Sequence, residues 1–194
     1  MILKTKLHER ISTEIVKNIG IWEGDGMRLA YLASQVPDNG VIVEIGSYRG
    51  RSAAYMAAAL KPDSNIKIFC IDLWANANQE KFVSTANDLE MLKNYLVSLD
   101  LYKFITTIRS DSIEASKDWK LPIDLLFIDG NHSYEGVSGD YQAWYPHVKR
   151  GGVIAFHDYH EINWQGVRTF VDETASKQIK FLGLHERTWS GEKL

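Results

Sequence analysis

The feature that most constrains this chain is a series of short, almost uninterrupted apolar runs with helical stretches between them. VIVEI (41–45), IKIFCID (66–72), FITTIR (104–109), IDLLFID (123–129) and GGVIAFHD (151–158) are the clearest. Strands that are apolar on both faces belong inside a sheet covered by helices, which in practice means a parallel sheet. Helical spacing fills the gaps at 52–60, 78–99, 113–118, 134–148 and 164–176, with Pro146 kinking or ending the fourth of these. IKFLGLH (179–185) and a short strand near Thr188 close the pattern. Ahead of it lie a helix at 6–19, with Leu7, Ile11, Ile15 and Ile19 near one face, and a second helix at 27–36. The three glycines of GIWEGDG (20–26) break the first helix from the second, and PDNG (37–40) ends the second. The expected fold is a single α/β domain over 1–194: a doubly wound, mostly parallel seven-stranded sheet at 41–194 behind an N-terminal helical cap at 1–36.

A chain of 194 residues is long enough to bury a core without disulfides or structural metal. Its formal charge of −3, with no basic block, argues against nucleic acid or an acidic membrane as partner. The one cysteine, Cys70, sits in an apolar run and reads as a buried small hydrophobe. The first residues are interrupted by charges every few positions, unlike a signal peptide. No apolar run approaches the roughly 18 residues of a membrane span. A cytoplasmic protein is expected.

The first strand runs into a glycine turn, VIVEIGSYRGRS. A dinucleotide fingerprint needs G-x-G-x-x-G, and Tyr48 stands where its middle glycine would be. A P-loop needs four residues between glycines and then Lys; here there are three between Gly46 and Gly50, and Arg51 follows. A nicotinamide oxidoreductase on the same fold is therefore the weaker reading. Glu44 inside the strand end disfavours an anion and suits a cationic ligand. Asp72, ending the second strand, can accept hydrogen bonds from a ribose. A ribose, a positive charge and no pyrophosphate describe S-adenosylmethionine.

VIVEIGSYRGRSAAYMA followed by CIDLW resembles the first two motifs of the class I S-adenosylmethionine-dependent methyltransferases. FIDGNHSYEGVSGDYQAWYPHVKRGGVIAFHDYH narrows the likeness to a subfamily that includes macrolide-sugar and cephalosporin-type O-methyltransferases. The resemblance covers roughly residues 20–185 and implies the Rossmann-like methyltransferase fold. It also implies that Gly46, Ser47, Tyr48, Gly50 and Ser52 wrap the methionine end of the cofactor, with Glu44 near its ammonium. Asp72 would hold the ribose and Leu73 or Trp74 flank the adenine, Trp74 being equally suited to core packing. Asp111, in the triplet Ser110-Asp111-Ser112, would face the adenine amino group, or else simply cap a helix. GIWEGDG would close over the cofactor.

The fourth strand ends in Asp129-Gly130-Asn131-His132 and the fifth in His157-Asp158-Tyr159-His160. Neighbouring strands so deliver two carboxylates and up to three imidazoles to one rim, enough for a divalent cation with open positions. The resemblance places such a metal on Asp129, His157 and Asp158, and Asp129 in the cofactor pocket and the catalytic machinery as well. An imidazole at position 157 opens the choice of ion from Mg²⁺ to Mn²⁺, and a metal-free site is the alternative. His132, with an ordinary pKa near 6.5, is the candidate general base. Asp140 is either its hydrogen-bond partner or a solvated helix residue. The expected activity is O-methylation of a hydroxyl on a small molecule such as a sugar or glycosylated metabolite. A module that binds the cofactor without chemistry is a further alternative. At 194 residues the N-terminal helix, the 20–26 loop and the region around 74–80 are expected to form most of the acceptor wall, with help from a second subunit if the protein is a homo-oligomer.

Overall fold

The computed structural model describes residues 4–13, 21–75 and 84–194. Ile15, Ile19 and the first part of the long helix expected from residue 78 lie outside them. The strands are β1 (Val41–Ile45), β2 (Lys67–Asp72), β3 (Ile105–Arg109), β4 (Ile123–Ile128), β5 (Val148–Phe156), β6 (Ile179–His185) and β7 (Thr188–Lys193). They form one sheet in the order β3-β2-β1-β4-β5-β7-β6. The first five pair in parallel. The last strand, β7, slots antiparallel between β5 and β6. The seven-stranded, mostly parallel sheet read from the apolar runs is the observed one.

Alternation along the strands feeds two cores. Ile42, Ile68, Cys70, Leu125 and Phe127 face helices α1 (Lys6–Thr13), α2 (Glu23–Ser34), α3 (Arg51–Ala58) and α4 (Ala86–Ser98). Val41, Val43, Ile45, Leu126 and Ile128 face α6 (Tyr134–Trp144) and α7 (Gln165–Glu173), with α5 (Ser112–Lys117) beside them. All five residues of β1 are buried. Val137, Tyr141 and Trp144 of α6 lie in the second core, as their helical spacing predicts. No helix of the described residues is long and apolar enough to cross a membrane.

Three boundaries differ from the sequence reading. Helix α2 begins at Glu23, inside the stretch expected to be a loop. Its glycines are there for proximity: a Cβ on Gly26 would fall 2.3 Å from the Tyr55 ring of α3. Helix α4 starts only at Ala86, fixed by a capping box in which Thr85 and Asp88 satisfy each other's backbone N–H groups. Strand β5 starts at Val148, three residues before the expected Gly151, because Val148 already pairs with Ile123 ahead of an irregularity in register. As expected of Pro146, helix α6 stops early, at Trp144, and tightens into a 3-10 turn through that proline.

Candidate active site

Order reverses beside β1: the chain winds outward through β2 and β3, then returns to β4 on the other side. Ligands of open α/β sheets bind at the carboxyl ends of the strands at such a point. Both sequence constellations lie there.

The glycine turn is held tightly. Gly46 and Gly50 have φ of 85° and 81°, and Tyr48 also has a positive φ of 44°. A Cβ on Gly46 would sit 2.0 Å from the Asp129 carbonyl oxygen, so only glycine lets this turn abut the end of β4. The Tyr48 N–H donates to Asp72 Oδ2 at 2.9 Å. Asp72 Oδ1 accepts from the Trp74 N–H at 3.0 Å and also from Ser84 Oγ. Asp72 thus organises the turn itself, in the half-buried position where a ribose acceptor was expected. Trp74 is wholly buried, and its indole N–H donates to the Tyr48 carbonyl at 2.8 Å. It braces the turn from inside, and the exposed Leu73 is the one of the two available to flank an adenine. Asp111 is the N-cap of α5, accepting from the N–H groups of Ile113 (2.9 Å) and Glu114 (3.1 Å).

Beneath the turn lies Glu44, fully buried, with neither carboxylate oxygen hydrogen-bonded. Ser47, Ser52 and the Cys70 thiol are its polar neighbours, and Ser47 Oγ is also unpartnered. Burial pushes the Glu44 carboxyl up to about 7, against weaker opposing pulls from Ser52 and Ser47. A buried acceptor with only Ser47, Ser52 and the Cys70 thiol as weak polar neighbours is suited to a ligand that brings donors and positive charge. The glycine cradle and this orphaned carboxylate fit the amino-acid end of S-adenosylmethionine.

The second constellation converges on two carboxylates. His132 Nε2 lies 3.3 Å from Asp129 Oδ1 and 3.2 Å from Asp158 Oδ2. His157 Nδ1 lies 3.2 Å from Asp129 Oδ1 and 3.4 Å from Asp158 Oδ1. Asp129, His132 and Asp158 each offer a ligand atom within 4.8 Å of the others. Two carboxylates with an imidazole suit a divalent ion such as Mn²⁺. His157, expected as the third ligand, adjoins the same carboxylates from a more buried position. Burial opposes charge on His132, but its hydrogen bonds to Asp129 and Asp158, and their charges, outweigh it and raise the imidazole to about 9. That departs from the ordinary value expected of it. Burial likewise works to raise Asp129 and Asp158, and the two imidazoles reverse it, holding both carboxyls below their ordinary range. His160 is exposed. Asp140 is buried, and it accepts from Ser112 Oγ rather than acting as the partner considered for His132.

Three neighbours of the cluster were not read from the sequence. Trp164 stacks on the His132 ring at 4.8 Å between centroids. Arg187, in the β6–β7 turn, pairs with Glu161 at 2.7 Å and approaches Asp158 at 3.6 Å. Asp25 of α2 faces His157 Nε2 at 3.5 Å. For Asp25 a signal existed, an acid between two glycines at a helix start; for Trp164 and Arg187 the sequence holds none.

The chain is a doubly wound sheet with a glycine turn over a buried acid and an acid–imidazole rim beside it. The family model for the methyltransferase domain matches residues 43–159, and the chain belongs to that family. The uncharacterized protein R132 of Acanthamoeba polyphaga mimivirus is 30% identical over 132 residues, 66% of this chain and 55% of that protein. The chain thus spans about half the length of this curated relative. Among solved structures, the O-methyltransferase TomG from Streptomyces achromogenes, of tomaymycin synthesis and in complex with S-adenosylmethionine, is similar with TM-score 0.71 at 14% identity. That match covers 100% of this chain and 92% of TomG. CalS11, a TDP-rhamnose 3'-O-methyltransferase of calicheamicin biosynthesis, gives 0.65 at 19% identity over 87% of this chain and 76% of its own. At these identities the structural matches establish the shared fold, the Rossmann-like methyltransferase fold.

Proposed function

We propose that the protein transfers a methyl group from S-adenosylmethionine to a hydroxyl of a small molecule, a sugar or glycosylated metabolite. The observation that carries this is the contact between the Gly46 turn and the Asp129 carbonyl, which makes the cofactor cradle and the acid–imidazole rim a single site. The methyltransferase domain and the sugar-methylating CalS11 among the structural neighbours support it. When bound, S-adenosylmethionine supplies an electrophilic methyl group beside the rim. Glu44 and the glycine turn hold its amino-acid end, Asp72 and Leu73 its nucleoside end. Asp129 and Asp158 would hold a divalent ion together with His157, the ligand the resemblance implies, which adjoins both through Nδ1; His132, which clusters with the same carboxylates, lies on the less buried side, stacked on Trp164, and would accept the hydroxyl proton at Nε2. A divalent ion supplies positive charge that offsets the two carboxylates. Without such charge His132, raised to about 9, already carries its proton at neutral pH.

Isothermal titration with S-adenosylhomocysteine tests the cofactor half; no binding at millimolar ligand sinks it. His132→Ala tests the chemical half. Turnover of a methylated hydroxyl acceptor should fall by about 10²–10⁴-fold, the usual worth of a general base, with S-adenosylhomocysteine affinity unchanged.

A further inference from the structure

Helix α2 carries a buried acid for which the cofactor and the cation leave no role. Asp25 has no exposed surface. Its Oδ1 accepts from the Arg187 N–H and from Thr188 Oγ1, each at 2.8 Å. Its Oδ2 has no hydrogen-bond partner, and neither does His157 Nε2. These two buried atoms face each other at 3.5 Å. From the other side of the same ring, Nδ1 faces Asp129 and Asp158. Phe127 packs edge-on against the imidazole, 6.2 Å between centroids. The flanking glycines bring the acid this deep: Gly26 lies against Tyr55 and Gly24 against the Glu186 side chain, where a Cβ would fall 2.5 Å from Cγ.

We propose that Asp25 is a positioning residue for the methyl-transfer site, acting through the His157 ring on Asp129 and Asp158. Burying a carboxylate costs several kcal/mol unless it is paired, and tying α2 to the β6–β7 turn needs only the acceptor at Oδ1. The second oxygen does something the tie does not require. It keeps the Nε2 proton of His157, which sets the ring's tautomer and turns Nδ1 to the two carboxylates. A carboxylate behind an imidazole is the usual way a site orients a histidine that serves a cation. The part of this inference that concerns methyl transfer rests on the function proposed above; the orientation of His157 does not.

Asp25→Asn keeps an Oδ1 acceptor for Arg187 and Thr188 and replaces the oxygen facing His157 with an amide. Histidine-ring ¹⁵N spectra of the full chain, assigned with His157→Gln, should show the His157 Nε2 resonance displaced in the variant. Mn²⁺ affinity should weaken by about tenfold or more, and Asp25→Asn should add nothing in a His157→Gln background. An unmoved His157 signal in Asp25→Asn overturns the proposal, because a purely structural tie leaves that ring alone. Should Asp25→Asn not fold, the wild-type spectra decide the same point: a proton on His157 Nε2 supports the proposal, and an Nε2 without one overturns it. S-adenosylhomocysteine titration of the same samples separates the two ideas. If the wild-type chain ignores that ligand or Mn²⁺, the proposed function fails while the His157 spectra still judge Asp25.

Discussion

Glu44 is a carboxyl that the fold buries without a partner, and its cost is measurable. Its folded value of about 7 lies above the ordinary 4.5, so between those pH values the folded chain holds more protons than the unfolded one. Stability therefore falls as pH rises through that window and stays low above it. At about 1.4 kcal/mol per pH unit, the difference reaches about 3 kcal/mol at pH 8. Glu44→Gln should recover up to that amount at pH 8, change little at pH 4, and weaken S-adenosylhomocysteine binding at least ~10-fold. Urea midpoints at the two pH values check this; equal midpoints at pH 8 would mean that the acid costs nothing. Wild-type affinity for the same ligand should also rise with pH from about 6 to 8, as Glu44 ionises against the ligand's ammonium, and that rise should vanish in Glu44→Gln. Glu44, Asp129 and Asp158 were legible in the sequence because they stand at the ends of apolar strands, where a parallel sheet puts ligands. Asp111 as a helix cap and Trp74 as packing stood in the sequence only as alternatives, and the partners of Asp72 did not show at all. Each is decided by local N–H groups and packing, which leave no period in the chain. Asp25 was hidden by its own glycines, which read as a turn.

At the scale of elements, helix-forming tendency and close packing pull glycine in opposite directions, and magnitudes decide between them. Alanine gains about 1 kcal/mol over glycine inside a helix. At Gly26 the new Cβ would lie 2.3 Å from Tyr55, whose ring is fully buried and has nowhere to go. Overpacking of that kind costs about 1–3 kcal/mol, so Gly26→Ala should destabilise the fold and loosen α2 from α3. At Gly139 of α6 the nearest atom is Ile113 Cδ1 at 3.2 Å, the free end of an exposed side chain. Gly139→Ala should therefore stabilise, by up to about 1 kcal/mol. Denaturant midpoints of opposite sign for the two variants are the expected outcome; the same sign for both would show that propensity or packing alone governs. Most strands and most helix starts were read to within a residue; α2 is an exception because its glycines, which read as a turn, serve close packing on Tyr55 instead.

For the whole molecule, the central strand β1 ties the parts together. Its residues face both cores, its end forms the glycine turn, and that turn rests on β4. A ligand seated there touches the sheet where the two helical layers meet, so it should stabilise the fold as one unit and not merely order a loop. Binding to the folded state alone at 100 times Kd adds about 2.7 kcal/mol. In a chain of 194 residues, each kcal/mol moves Tm by about 2–4 °C. S-adenosylhomocysteine should then raise a single calorimetric transition by about 5–10 °C. The α2 helix should unfold within that transition, since Asp25 anchors it to the β6–β7 turn and Tyr55 packs on it. A second transition indifferent to the ligand would place α2 outside the cooperative unit, and with it the acid that faces His157. Glu44→Gln provides the internal control, because it should lose most of the ligand-induced shift while starting from a higher Tm at pH 8. That combination, greater stability with a smaller response, is not expected from general damage to the fold.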